Sequence, residues 1–470
     1  MLKVTFCGAA REVTGSLHLL EADGMKVALD CGMFQGRRAE SETKNKTFPF
    51  DPSTLHAVVL SHAHIDHCGR LPLLVKQGFT GRIYATPATR DLCALMLADS
   101  AHIQLEDANF LNKKKSRVGE PPIEPLYTDD DVQQTLRLFQ TVAYEQPFWI
   151  TRRLSARFES SGHMLGAASI ALLYKQPVGD KPVSLVFSGD VGRFDIPILR
   201  NPRPFSETDY LIVESTYGGR HHPPTEDLGA RLAAVVNDTI ARKGKLIIPA
   251  FSVGRTQVLV YTLHQLQSAG AIPRVPIYID SPLAVNATEV FRMHPELFNT
   301  EARSFQKQTG DILGACACTY IRDAEESKKL NRIRRSCIII SASGMCETGR
   351  IVHHLRNNIQ NPRNTILIVG FQAAHTLGRR IVEKQPKVSI FGQTLSLKAQ
   401  VVVLNGFSGH ADIDELRRMC KPTAARCRRA FLVHGEIDQM EAMKSALIED
   451  GFRDINMPAA GDVFELTARD

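Results

Sequence analysis

Residues 61–67 read SHAHIDH, and no other stretch restricts the folding of this chain so narrowly. The apolar run HAVVL (56–60) just before it reads as a buried strand. That strand delivers four metal-ligand side chains, His62, His64, Asp66 and His67, to one loop. A structural loop has no need of such crowding, whereas a metal site does. His62 and His64, two apart on a loop leaving a strand, both face one point; Asp66 and His67 follow a turn and face a neighbouring point. Zinc takes about four ligands, with N or O donors at about 2.0–2.2 Å. Four ligands in six residues are too many for one catalytic ion that must keep a position open. They imply two ions sharing a bridge, with the bridge and the remaining ligands supplied from elsewhere in the chain.

The rest of the chain supplies an ordinary globular frame. Its 470 residues, 43% hydrophobic, are enough for a sizeable core and about three domains. A net charge of +7 permits a polyanionic partner without demanding one. The sequence has no early apolar run with a basic flank and cleavage site, and no stretch of about 18 apolar residues. Neither a signal peptide nor a membrane span is therefore expected. The ten cysteines are scattered without a C-x-x-C pair, which speaks against a zinc finger or disulfide scaffold and for reduced thiols in a cytoplasmic protein. The basic runs Lys113–Lys115 and Arg332–Arg335 read as solvated faces before they read as nucleic-acid contacts.

Strands at 2–7, 26–31, 56–60 and 82–85 alternate with helical runs from 70 and over 87–105, which predicts an α/β layered domain. Prolines and lysines over 111–128 predict a solvent loop, and Thr128 with an acidic first turn opens a helix to 139. Strands follow at 154–159, 168–174 and 183–188. Near 209 the pattern changes. Strands at 210–215, 244–251, 276–280, 336–342 and 364–371 alternate with helices at 225–242, 255–268 and 284–293, the signature of a parallel sheet covered by helices. After about 390 the chain returns to short strands.

Further ligand-type residues fall at strand ends: His163 in SSGHMLGA, Asp190 in VFSGD, Glu214 in VEST, His410 in GFSGHAD and His434 in FLVHGE. Each alone is ordinary for a core or surface side chain. Beside H-x-H-x-D-H they form a candidate set. Together these motifs resemble the metallo-β-lactamase-fold hydrolases of the β-CASP branch, a family of nucleic-acid-processing enzymes that includes bacterial and archaeal relatives of the cleavage-and-polyadenylation endonuclease subunit. LDCGMFQG (29–36) is similar to the family's first motif, with Asp30; His163 and Asp190 match its third and fourth. Glu214, His410 and His434 match motifs A, B and C. IPAFSVGRTQ, IDSPLA and ISASGMCETGRIVHHLRNNI also look like this family, so the resemblance spans nearly the whole chain in the expected order.

The resemblance implies an α/β fold: an αββα metallo-β-lactamase sandwich formed by residues 1–208 and 391–470, with an inserted β-CASP domain at 209–390 and the active site in the cleft. It implies two zinc ions, one on His62, His64 and His163, the other on Asp66, His67 and His434. Asp190 would bridge them and Asp30 would orient a ligand from behind. Manganese or iron also suits such a donor set. Paired ions stabilise the charge that builds on phosphate oxygens during phosphodiester hydrolysis and lower the pKa of a bridging water. His410, held by Glu214, resembles the general acid that protonates the leaving O3′. Asp66 and Asp190 count with them as catalytic. Products would be 5′-phosphate and 3′-hydroxyl.

Histidine at motif C resembles the RNA-processing members, so single-stranded RNA is the expected substrate. The SASGM loop implies phosphate contacts at Ser341, Ser343 and Gly344. Where GFQAAHTLGRR resembles the family, His375 stands at a position that usually carries Gly. Only 36 residues follow His434, which favours internal cutting over the RNase J-type arrangement, with 5′ exonuclease action as a second mode and a homodimer left open. Two alternatives remain: another hydrolase of this fold acting on esters or thioesters, and a non-catalytic RNA-binding subunit.

Overall fold

Along Leu2–Gly8 buried and half-buried residues alternate, the mark of a strand with one face on a core. Along Tyr210–Glu214 all five residues are buried, the mark of a strand covered on both faces. These two patterns distribute the strands among the layers. The computed structural model describes residues 2–36, 38–115, 121–177, 181–222, 227–314, 318–370, 372–373 and 375–468. They form two compact units, one of residues 1–194, 201–221 and 410–470, the other of 195–200 and 222–409.

The first unit stacks two seven-stranded sheets. In one the order is Val463–Leu466, Leu2–Gly8, Leu17–Ala22, Met25–Leu29, Leu55–Val59, Arg82–Ala85, Phe139–Thr141. In the other it is Ile455–Asn456, Arg429–Val433, Tyr210–Glu214, Val183–Phe187, Ala168–Tyr174, Leu154–Ser160, Phe148–Trp149. Val4, Phe6, Leu20 and Leu29 of the first meet Phe158, Ile170, Leu185 and Phe431 of the second in one core. Each such buried side chain contributes about 1.5–3 kcal/mol. Leu416 and Met419 of helix Ile413–Cys420 and Met440 and Met443 of helix Ile437–Glu449 cover the far side of the second sheet, on Leu211, Val213 and Leu432. Helices Leu71–Lys76, Pro87–Lys115 and Asp129–Arg137 pack together beside strand Phe139–Thr141 of the first sheet. The layering is helix, sheet, sheet, helix.

In the second unit six parallel strands run in the order Cys318–Tyr320, Ile277–Asp280, Ile338–Ser341, Leu246–Pro249, Thr365–Ile368, Gln400–Val403. Helices such as Arg255–Ser268, Pro282–Met293 and Arg350–Asn358 connect them. Among the described residues no helix is long and apolar enough to cross a membrane.

Three differences from the sequence reading concern where segments end. Strand Tyr210–Glu214, expected to open the inserted domain, lies in the first unit, because it pairs in parallel with Val183–Phe187 and with Arg429–Val433. Strand Gln400–Val403, expected in the returning segment, extends the six-stranded sheet beside Thr365–Ile368. Helix Pro87–Lys115 runs ten residues beyond its expected end at 105, into the stretch read as loop; residues 116–120 lie outside the described residues, as do the side chains of Lys114 and Lys115.

Asp280 holds the second unit's sheet and helices together. Its buried carboxylate accepts from His354 Nε2 at 2.6 Å, Ser327 Oγ at 2.5 Å and Arg350 Nη1 at 2.7 Å. Burial opposes its ionisation, but these donors outweigh burial and hold it below the ordinary value of 3.8. A carboxyl depressed by folding adds stability above its unfolded pKa and loses it as pH falls through the folded one. The contribution should therefore be complete above about pH 4 and disappear on further acidification. Asp280→Ala should lose about 3 kcal/mol at neutral pH, because buried His354 and Ser327 and half-buried Arg350 all lose the acceptor of their hydrogen bonds. Urea unfolding of both proteins at pH 7 and pH 3 measures this; an equal loss at both values would contradict it.

Candidate metal centre

Every expected ligand follows the C-terminal end of a strand. Asp30 follows Met25–Leu29, the SHAHIDH loop follows Leu55–Val59, and His163 follows Leu154–Ser160. Asp190 follows Val183–Phe187, Glu214 ends its own strand, and His434 follows Arg429–Val433. Met25–Leu29 and Leu55–Val59 are parallel to each other, as are Val183–Phe187, Tyr210–Glu214 and Arg429–Val433. Within each sheet the loops thus leave at one edge, where ligand sites of α/β sheets form.

Backbone contact sets the loops against one another. Cys31 N donates to His67 O at 2.8 Å, and Ser16 N donates to Asp66 O at 2.8 Å. Gly192 N donates to Ser161 O at 2.7 Å, and a Cβ at 192 would lie 2.1 Å from the Gly162 carbonyl and 2.4 Å from His163 N. Asp30 and His434 have φ of +60° and +52°, conformations that cost non-glycine residues about 1–3 kcal/mol and persist only where the surroundings fix them.

Two groups of donor atoms converge. In one, His64 Nδ1 lies 3.1 Å from His62 Nε2 and 3.1 Å from His163 Nε2, and Asp190 Oδ2 lies 3.5 Å from each of the latter two. In the other, His67 Nε2 is 3.2 Å from His434 Nε2 and 3.2 Å from Asp190 Oδ1, and Asp66 Oδ2 is 3.5 Å from His434 Nε2. Asp190 therefore gives one oxygen to each group. The structure brings together all seven residues expected to be ligands.

The outer ring nitrogens decide which inner atoms are available. His67 Nδ1 donates to Asp30 Oδ2 at 2.6 Å, and Asp30 is fixed in turn by Ser61 N (2.8 Å), Ser61 Oγ (2.9 Å) and Ser16 Oγ (3.1 Å). Ser61 Oγ, donating to Asp30, accepts from His62 Nδ1 at 3.0 Å. Thr216 Oγ1 donates to the His434 carbonyl and so accepts from His434 Nδ1, each at 3.0 Å. These partners assign a proton to Nδ1 of His62, His67 and His434; the Nε2 lone pairs of His62 and His434 face inward, whereas His67 Nε2 faces Asp190 Oδ1 and would offer its lone pair once a cation took the place of its second proton. Ser16, Ser61 and Thr216 escape sequence reasoning. Ser61 and Thr216 stand inside the quoted motifs, but a hydroxyl there carries no signal until its partner is known.

Burial drives His62 well below its usual pKa and His64 down to about 4, so both rings are neutral. Burial opposes ionisation of Asp190 and Asp66, yet His434 and His67 outweigh it and hold both carboxyls below the usual range. For His67 burial is outweighed by Asp190 and Asp30, which raise it well above its usual value. Neutral imidazoles and ionised carboxylates are the forms that bind a cation. Asp190 Oδ1 is buried and accepts no hydrogen bond, an unmet demand in a wall of nitrogen lone pairs. The donor set fits divalent metal.

His410 stands beside this centre. Its Nδ1 is 3.3 Å from both Glu214 oxygens, and its Nε2 is 3.8 Å from Asp190 Oδ2. Burial lowers its pKa, but Glu214 and Asp190 raise it further, to about 9. Glu214 also accepts from Val191 N at 2.6 Å, which ties the Asp190 loop to the His410 partner. Tyr217, not singled out from the sequence, packs edge-on to the His410 ring at 6.0 Å.

The expected phosphate loop lies in the other unit. Ser343 and Gly344 occupy the turn after strand Ile338–Ser341. Ser341 differs from expectation: it is buried in the sheet, and its hydroxyl donates to Asp280 O at 2.8 Å, which leaves it nothing to offer a phosphate. His375 has φ +69°, the left-handed region in which glycine is at ease.

The Gly192 contact makes a direct test. Gly192→Ala should push the His163 loop away and lower the zinc retained after dialysis, with the circular dichroism spectrum unchanged. Full zinc content in the variant would show that the close approach does not position His163.

Comparison with known proteins agrees with this geometry. Residues 19–176 match the Metallo-beta-lactamase superfamily domain, 256–381 the Beta-Casp domain, and 394–458 the Zn-dependent metallo-hydrolase RNA specificity domain. The chain is 35% identical to ribonuclease TTHA0252 of Thermus thermophilus, over 95% of this chain and 96% of that one. It is 32% identical to the transcription termination factor FttA of Methanosarcina mazei, over 93% of this chain and 67% of the other. A crystal structure of a protein of unknown function from Enterococcus faecalis V583 superposes with a TM-score of 0.55 at 13% identity, covering 98% and 99% of the two chains, and shows the same fold. The chain belongs to the β-CASP ribonuclease family of metal-dependent hydrolases.

Proposed function

We propose that this protein is a cytoplasmic, zinc-dependent ribonuclease that hydrolyses single-stranded RNA to products with 5′-phosphate and 3′-hydroxyl ends, cutting internally. The observation that carries the reading is Asp190, with one carboxylate oxygen in each of two histidine groups. Such a bridge suits a pair of ions and has no use in a single-ion site. The ribonuclease name of the Thermus thermophilus relative and the RNA specificity domain over 394–458 support RNA as substrate.

In this reading His62, His64 and His163 would hold one ion and Asp66, His67 and His434 the other, with Asp190 placed between the two groups. Two ions so held supply positive charge to the phosphate oxygens and lower the pKa of a bound water. The chain's own groups do the rest. Asp30 fixes His67 through Nδ1, so that Nε2 keeps its direction. Glu214 favours the imidazolium of His410 and turns Nε2 toward Asp190, where the leaving O3′ receives its proton. Ser343 and Gly344 are assigned to the RNA backbone.

His410→Ala should lower kcat by about 10²–10⁴, the range for a general acid, with zinc content unchanged. Cutting of internally labelled and 5′-labelled RNA beside matched DNA measures this, and product lengths test internal cutting. Wild-type rates in the variant would remove His410 from the mechanism; intact RNA at full zinc occupancy would overturn the ribonuclease reading. Asp30→Ala should weaken zinc binding about 10–100-fold, as loss of a ligand's outer partner does. Competition with a fluorescent chelator reads the change, and unaltered affinity would leave Asp30 without this role.

A further inference from the structure

Phe251 follows strand Leu246–Pro249 in the second unit and is 43% exposed. A large aromatic in water needs a reason, and several features mark this one as placed. Its backbone is pinned: Thr256 donates to the Phe251 carbonyl from N at 3.3 Å and from Oγ1 at 2.7 Å. One part of the ring lies on the backbone of Gly344, where an added Cβ would meet three ring carbons at 3.0–3.2 Å. Gly344 is itself held by Gln372 Nε2, which donates to its carbonyl at 2.9 Å. A side chain at 344 would crowd the ring, so the glycine lets an aromatic that the fold does not bury sit close against the turn. Arg255, at the start of the next helix, is fastened to the Val369 carbonyl at 2.6 Å and adds a cation at the same edge of the parallel sheet. By contrast, Trp149, also exposed, has Lys175 over its ring, and Phe391 packs on His353.

We propose that Phe251 is a stacking platform for one nucleobase of the bound RNA, beside the Ser343–Gly344 turn assigned to the backbone. This rests on the RNA reading above and extends it to a specificity-determining residue. A rigid ring backed by a glycine peptide offers a flat face with little entropy to lose. Every base has a face that stacks, and purines stack over a larger area, so the site favours a purine at one fixed position. A stacked base is worth about 1–3 kcal/mol, or about 5–150-fold in affinity.

The test measures binding of fluorescent single-stranded RNA by anisotropy, in a His410→Ala background that spares the substrate. Four proteins are compared: Phe251, Phe251→Ala, Phe251→Trp and Phe251→Leu. Alanine should raise Kd about 5–150-fold and tryptophan should restore it. Scanning one abasic nucleotide through the RNA should reveal a single position whose loss matches the alanine effect and adds nothing to it. Phe251→Leu, which keeps apolar bulk without a ring, should not restore binding. Rescue by leucine, or an abasic effect that adds to that of alanine, would overturn the platform. So would a parent that binds RNA with indifference to residue 251. A parent that binds no RNA would instead overturn the functional reading, and the platform with it.

Discussion

Asp190 stands where two sets of imidazoles face each other, its carboxylate divided between them, and the rest of the first unit is arranged to keep it there. Its oxygens lie 3.2–3.5 Å from ring nitrogens of His62, His67 and His163. The rings cannot satisfy one another, because the outer nitrogens of His62, His67 and His434 are committed to Ser61, Asp30 and Thr216, which fixes what their inner nitrogens can offer. Lone pairs and carboxylate charge together at the end of a dry core are costly without a cation. The sandwich accepts that cost because its loops are locked by backbone hydrogen bonds and by left-handed residues. Stability elsewhere in the two sheets offsets the strain held at the site.

Much of this was legible in the sequence, for reasons that differ from residue to residue. H-x-H-x-D-H announces itself because its spacing serves no structural purpose. His163, Asp190, Glu214, His410 and His434 were visible only as strand-end residues in motif order, since their meeting depends on contacts up to 367 positions apart, as for His67 with His434. The hydroxyls that assign the ring protons left no trace. Ser341 was misjudged for a related reason: a serine at the end of a strand reads the same whether its side chain faces a ligand or a neighbouring carbonyl.

The segment limits show where local pattern loses its power. The YLIVE strand is apolar on both faces, which says that it is buried between layers but not in which sheet. Pairing decided that, and its partner Arg429–Val433 lies more than two hundred residues away. Likewise QVVVL carries no mark of the sheet it extends. Helix Pro87–Lys115 outran its expected end because charge and lysine content argue for exposure, and an exposed face is as compatible with a helix as with a loop.

The pairing of strand Leu2–Gly8 with Val463–Leu466, and the seat of Arg429–Val433 in the interior of the second sheet, also order events in time. A ribosome reaches His410 and His434 only after the whole second unit has been synthesised. Until then one donor group lacks His434, Glu214 has no imidazole to hold, and strand Tyr210–Glu214 lacks its partner Arg429–Val433. Close contacts across such sequence distances form late. A partly made chain is therefore without a complete donor set until its last strands join the two sheets.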